Sequence, residues 1–241
     1  MRVVLLHGFT QGPGSWAGLA ERLRERHDVV IPTLPGHGGA GEVKGTFEEE
    51  AAALAEGVGR PPATWIGYSL GGRLALRIAL DRPDLVERLV LVGATAGLAD
   101  PDERDARRKR DETLASGLER KGLEAFLTGW LNQPLFKKLP KEAAGLEERR
   151  TNTVDGLASV LRRLGTGAQE PVWDRLGELR MPVLITAGEH DSSFVSLAFR
   201  LVAAIGTGEE AGLSFVPGAG HAAHLERPEA FGNIVERFLD R

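Results

Sequence analysis

The chain has 241 residues, 42% of them hydrophobic and 27% charged, enough for one α/β domain with a full core or for such a domain carrying an insertion. A formal net charge of -4 at pH 7 excludes a general nucleic-acid or anionic-membrane binder. With 0 cysteines there is no disulfide framework or thiolate metal site, nothing in the sequence offers a transmembrane span or a signal peptide, and a cytoplasmic protein is expected.

In chain order, short apolar runs suited to buried parallel strands alternate with helical patterns. "RVVLLHG" (2–8) precedes a helix near 15–26, "DVVIPTL" (28–34) a helix near 46–59, and "ATWIGYS" (63–69) a helix near 71–82. "ERLVLVGAT" (87–95) follows, and there the rhythm breaks. From about Ala99 to Gly177 the chain is charged and helix-forming, with breaks at Gly117, Gly122, Pro134, Pro140 and Gly145. The alternation resumes with "MPVLITAGE" (181–189), a helix near 193–206, "GLSFVPGAG" (212–220) and a helix near 228–240. The pattern predicts an α/β fold, a mostly parallel sheet flanked by helices. Residues 1–98 and 178–241 are expected to form the core, and 99–177 a helical cap over the carboxyl ends of the strands, where open α/β sheets bind ligands.

The centre of "TWIGYSLGGRLAL" (64–76) fits G-x-S-x-G: Gly67-Tyr68-Ser69-Leu70-Gly71. Between an apolar strand and a helix this pattern predicts the nucleophile elbow of the α/β-hydrolase fold, where a strained turn lifts a serine hydroxyl above the sheet. Triad partners in that fold follow in the order Ser, Asp, His at strand ends. Asp191 follows the run 181–189 and His221 follows 212–220, so Ser69, Asp191 and His221 are the expected catalytic set. His224 would lie one turn into the next helix, and His190 lacks a strand-end position. The oxyanion donors are then the amides of Leu70, after the serine, and Phe9, in the loop after the first strand. In "LPGHGG" (34–39) His37 reads as structural or rim-forming.

The stretches "HGFTQGPGSW", "LPGHGG", "GYSLGGR", "GEHDSSF" and "GAGHAAH", with "GLADPDERDARRKRDE", "WLNQPLF" and "RRTNT" between them, resemble the 2-succinyl-6-hydroxy-2,4-cyclohexadiene-1-carboxylate synthases of menaquinone biosynthesis over nearly the whole chain. The resemblance implies a cap inserted after the sixth-strand position of the α/β-hydrolase fold, and a lyase that eliminates pyruvate from an enolpyruvyl cyclohexene without metal or cofactor. Its substrate is a small anionic molecule with three carboxylates, so the pocket needs cations. Arg73 lies on the first turn after the elbow; Arg107 and Arg150 match arginines of the family's cap, with Arg149 an adjacent competitor of Arg150; Trp130 is expected to pack over the ring, and Tyr68 either to line the pocket or to serve packing. The alternative is a serine hydrolase, a carboxylesterase or C–C bond hydrolase acting on a small carbonyl compound. Neither nucleic acid nor membrane is an expected partner, and the oligomeric state is not legible.

Overall fold

The computed structural model describes residues 1–206 and 211–240; residues 207–210 and 241, which the sequence assigns to the core, lie outside the described residues. Six strands form one sheet: β1 (Arg2–Leu6), β2 (Asp28–Val30), β3 (Ala63–Tyr68), β4 (Val86–Val92), β5 (Val183–Gly188) and β6 (Ala211–Val216). Their order is β2-β1-β3-β4-β5-β6, and every pairing is parallel.

Side chains of successive strand residues point to opposite faces, and both faces are covered. Val4, Leu6, Trp65, Leu89, Leu91 and Ile185 pack on one side with α2 (Phe47–Val58), α3 (Leu70–Asp81) and α8 (Ser192–Ile205). Val3, Leu5, Ile66, Val90, Val92 and Leu184 pack on the other with α1 (Ala17–Arg24) and α9 (Pro228–Leu239). This double burial explains why the strands read as unbroken apolar runs. β2 is shorter than the run 28–34 because Pro32 has no N–H to donate to a ladder, and the Leu34 N–H is taken instead by His7 Nε2 at 3.1 Å.

Between β4 and β5 the chain makes α4 (Pro101–Lys121), α5 (Leu123–Leu131), α6 (Leu146–Arg149) and α7 (Val154–Leu164). Asp100 starts α4 by accepting from the N–H groups of Asp102 and Glu103, with Pro101 at the first helical position. Ala115 and Leu118 of α4, Leu127 of α5 and Leu157 and Leu161 of α7 form a small core of their own, against which Phe9 from the loop after β1 also packs. Hydrogen bonds join this segment to the sheet's loops. Asn152 Nδ2 donates to Thr10 O at 2.9 Å, Gly38 N–H donates to Asn152 Oδ1 at 3.0 Å, and Val43 N–H donates to Ser159 Oγ at 2.8 Å. No helix among the described residues is long and apolar enough to cross a membrane.

The chain runs outward from β1 to β2 on one side, then returns to lay β3 on the other. The loops leaving β1 and β3 therefore diverge, and the crevice between them is the topological switch point at which sheets of this kind bind ligands.

Candidate active site

Ser69 occupies that crevice. Its backbone stands at φ +50, ψ -108, a rare conformation for a residue with a Cβ. The strain is locked by close packing: a Cβ on Gly67 would strike the backbone of Gly71 and Gly72, and one on Gly71 would strike the carbonyls of Leu6 and His7. Ser69 N–H donates to Val92 O at 2.9 Å, and Gly71 N–H donates to His7 O at 3.1 Å, pinning the turn to both neighbouring strands. Leu70 is the first residue of α3, where an N–H has no partner within its own helix.

Two buried histidines shape the facing loop. His7 accepts from Leu34 N–H with Nε2, so its Nδ1–H donates to Gly8 O at 2.9 Å. His37 accepts from Thr10 N–H with Nε2 at 3.1 Å and donates from Nδ1 to Pro35 O at 2.9 Å. Burial, with a contribution from His37, lowers the His7 imidazole to about 3; burial lowers that of His37 to about 4. Both are neutral, with tautomers fixed by their partners. Gly8 N–H is taken by Gln11 Oε1 at 2.9 Å and Thr10 N–H by His37, and the Phe9 N–H lies between them. His37 is thus a loop anchor, in keeping with its structural reading.

Asp191 and His221 meet because the strand ends that carry them abut. A Cβ on Gly188 would collide with the carbonyls of Ala219 and Gly220, and His190 N–H donates to Ala219 O at 2.8 Å. His221 Nδ1–H donates to Asp191 Oδ2 at 2.7 Å, with both side chains buried. Asp191 also caps α8, its Oδ1 accepting from Phe194 N–H at 3.4 Å. The His221 ring rests on Phe194, centroids 4.4 Å apart. The loop around it is held by Glu226, a buried carboxylate that accepts from the N–H groups of Gly220 and Ala222 at 2.5 and 3.0 Å. Sequence reasoning missed Glu226; the available signal was a glutamate five residues beyond the histidine.

Ser69, Leu70, Phe9 and His221 line one cavity of ≈ 200 Å³, to which residues between β4 and β5 also contribute. Tyr68, Arg73, Arg107 and Trp130 line it too, as the sequence suggests. Arg150 does not. It is exposed and paired with Glu124, at 2.9 Å, and with Glu147. The neighbouring Arg149 takes its place in the cavity wall, buried to 2% exposure, because the short α6 turns that side chain inward. Arg149 Nε donates to Ala144 O at 2.7 Å and its Nη1 to Thr10 Oγ1.

The wall is cationic. Arg73, Arg107 and Arg149 line it, with no aspartate or glutamate lining it among the described residues. Burial, then the charge of Arg107, holds the Arg73 guanidinium down to about 9, and burial lowers Arg149 as well. Arginine keeps its charge at neutral pH, and a guanidinium stripped of water gains most from an incoming anion. Arg73 also donates to Gln169 Oε1 at 2.9 Å and Leu164 O at 2.7 Å, tying α3 to the segment after α7. Arg107 is oriented from behind by Asp111, a buried carboxylate 2.9 Å from its Nε. The Tyr68 phenol, pushed up by burial, remains protonated.

A sheet with this elbow and a histidine–carboxylate pair beside it defines an α/β-hydrolase-fold protein, and the chain belongs to the α/β hydrolase family, whose model matches residues 3–233. An esterase from Thermogutta terrifontis superposes at a TM-score of 0.80 with 23% identity, covering 100% of this chain and 89% of that one, and shares the fold. MenH from S. aureus superposes at 0.92 with 28% identity, covering 100% of this chain and 93% of that one. The 2-succinyl-6-hydroxy-2,4-cyclohexadiene-1-carboxylate synthase of Serratia proteamaculans is 30% identical over 98% of this chain and 92% of its own length. A Bacillus subtilis relative, provisionally named for the same activity, is 37% identical over 98% of this chain and 89% of its own. Within the α/β hydrolases, the chain belongs to the 2-succinyl-6-hydroxy-2,4-cyclohexadiene-1-carboxylate synthase family.

Proposed function

We propose that the protein is a lyase of menaquinone biosynthesis. It eliminates pyruvate from 2-succinyl-5-enolpyruvyl-6-hydroxy-3-cyclohexene-1-carboxylate to give 2-succinyl-6-hydroxy-2,4-cyclohexadiene-1-carboxylate. The observation that carries this reading beyond family membership is the cavity wall: among the described residues three arginines and no carboxylate line it together with Ser69 and His221. A tricarboxylate fits that wall, whereas a neutral ester, the substrate of the serine-hydrolase alternative, has no use for it. Residues 99–177 act as the cap, contributing Arg107, Trp130 and Arg149 to the pocket in place of the Arg150 expected from the sequence.

The reaction needs a base, an anion binder and an exit for the leaving group. Asp191 holds His221 with its Nδ1 protonated, leaving Nε2 to draw the proton from Ser69 and make the serine oxygen basic. Ser69 removes the ring proton next to the succinyl ketone. The electron pair shifts through the ring double bond to form the conjugated diene, and the bond to the enolpyruvyl oxygen breaks. The expelled enolpyruvate takes up a proton and becomes pyruvate. The Phe9 and Leu70 amides hold the enolate oxygen that develops on the ketone, as an oxyanion hole holds a tetrahedral intermediate. No water attacks and no acyl-enzyme forms.

Incubation of the pure protein with the enolpyruvyl substrate tests the reading. Pyruvate and the ring-diene absorbance should rise together in equal amounts. Hydrolysis of simple esters without pyruvate release would return the protein to the serine hydrolases.

A further inference from the structure

The formal net charge of -4 has the same sign as a tricarboxylate, so the field of the whole molecule opposes the encounter with such a substrate. One stretch runs against that field. Three of the six lysines in the chain, Lys137, Lys138 and Lys141, fall within the five residues that follow Phe136. Phe136 is buried and Leu139 packs against the core on the α1 side of the sheet, while all three lysines are exposed. Among the described residues no carboxylate stands within ion-pair distance of any of them, whereas the nearby Arg150 is committed to Glu124 and Glu147.

This segment borders the catalytic cavity. Phe136 lines both the Ser69 cavity and a larger outer hollow of ≈ 760 Å³. Lys137 and Lys141 line the outer hollow, to which Leu131 and Leu146 add apolar surface. Lys138 adjoins the loop that carries His221, since a Cβ on Gly220 would lie 3.2 Å from Lys138 Cβ. Glu124 is the one carboxylate lining the hollow among the described residues, and Arg150 pairs with it at 2.9 Å. The hollow is left with uncompensated positive charge next to the cavity.

We propose that Lys137, Lys138 and Lys141 form a cationic vestibule, which captures a polycarboxylate in the outer hollow before it passes Phe136 to the arginines around Ser69. The tricarboxylate as its ligand rests on the function proposed above. Lysine suits capture, because its ammonium is a strongly hydrated point charge on a flexible stem and attracts without fixing an orientation. Arginine suits retention, because its planar fork binds a carboxylate bidentately. The protein divides the two accordingly, with arginines in the inner wall and lysines outside it. Exposed charges act over about 10 Å at 0.1 M salt and about 3 Å at 1 M, while buried ones are screened much less. Capture is therefore the salt-sensitive step.

The test replaces Lys137, Lys138 and Lys141 together by glutamine. Its control is Lys44→Gln/Lys109→Gln/Lys121→Gln, which removes the chain's other three lysines and changes the net charge equally. At a low salt concentration of about 0.01 M, where screening is weak, the vestibule variant should lose about tenfold or more in kcat/KM for the enolpyruvyl substrate. Its kcat should be unchanged, and the loss should vanish near 1 M salt. The control should keep the wild-type kcat/KM. The calorimetric Kd of propane-1,2,3-tricarboxylate, which cannot react, should rise in the vestibule variant alone. An equal loss in both variants, no loss in either, or a loss undiminished at high salt overturns the vestibule. A tricarboxylate Kd that is equal in all three proteins, or no binding by the wild type, overturns it as well. Failure of the wild type to release pyruvate overturns the reaction instead, and the tricarboxylate Kd then still decides the vestibule.

Discussion

Arg149 and Arg150 stand side by side in sequence and differ in almost everything that matters chemically. Arg149 is buried in the cavity wall; Arg150 is an exposed partner of Glu124 and Glu147. Arg149→Ala should lower kcat/KM by about ten- to a hundredfold, the effect of losing one charge-assisted contact to a carboxylate. It should also lower Tm, because Ala144 O and Thr10 Oγ1 lose their donor. Arg150→Ala gives up only exposed ion pairs that solvent screens, and should keep wild-type kinetics; a reversed outcome in this pair would move the anion site to the outer face of α6. Arg73 differs from both, being pocket wall and tether at once. Arg73→Ala should lose turnover and thermal stability together, since Gln169 and Leu164 O are its partners. At the serine, Ser69→Ala should cost several orders of magnitude in kcat. Direct abstraction by His221 would leave that variant largely active.

At the scale of elements, strands and elbow were legible because local pattern determines them. A strand buried on both faces must be continuously apolar. The glycines two residues either side of Ser69 mark a turn too tight for any side chain there, and the serine takes up its positive φ between them. The placement of Asp191 and His221 was legible for the same reason, since each directly follows an apolar run. The helices between β4 and β5 were legible only as helical. Which face of α6 turns inward, or that Asp111 is buried behind Arg107, depends on packing between elements that no local period encodes. Glu226 belongs to this class: its role depends on the loop folding back over it. Glu226→Ala would strip the acceptors from the Gly220 and Ala222 amides on either side of His221. We expect kcat to fall at least tenfold with KM little changed, because orientation of the imidazole is lost and not the anion site. Glu226→Gln, which retains one acceptor, should recover part of the loss. A KM effect of similar size would mean that Glu226 supports the pocket and not the base.

Over the whole molecule, acid sensitivity follows from three buried imidazoles. Burial lowers His7 and His224 to about 3 and His37 to about 4, against an ordinary value of 6.5. Between 6.5 and those values the unfolded chain binds protons that the folded chain refuses, so stability falls as pH falls. The contribution is complete above about pH 7 and is lost progressively below 6.5. For His7 and His37 the proton would land on the nitrogen that accepts from Leu34 or Thr10, breaking the loops that carry Phe9. Thermal melts should therefore show a flat Tm above pH 7 and a steady decline from 6.5 toward 4.5, before most carboxylates protonate. A Tm constant across that interval would contradict the assignment of these three buried histidines as neutral.

We propose that a serine–histidine–aspartate arrangement on a hydrolase fold serves here as a base for elimination. The most direct measurement is rapid-quench intact-mass analysis of the enzyme during turnover of the enolpyruvyl substrate. The protein should stay unmodified at every time point while pyruvate accumulates. A covalent adduct on Ser69 that forms and decays as fast as turnover would contradict it.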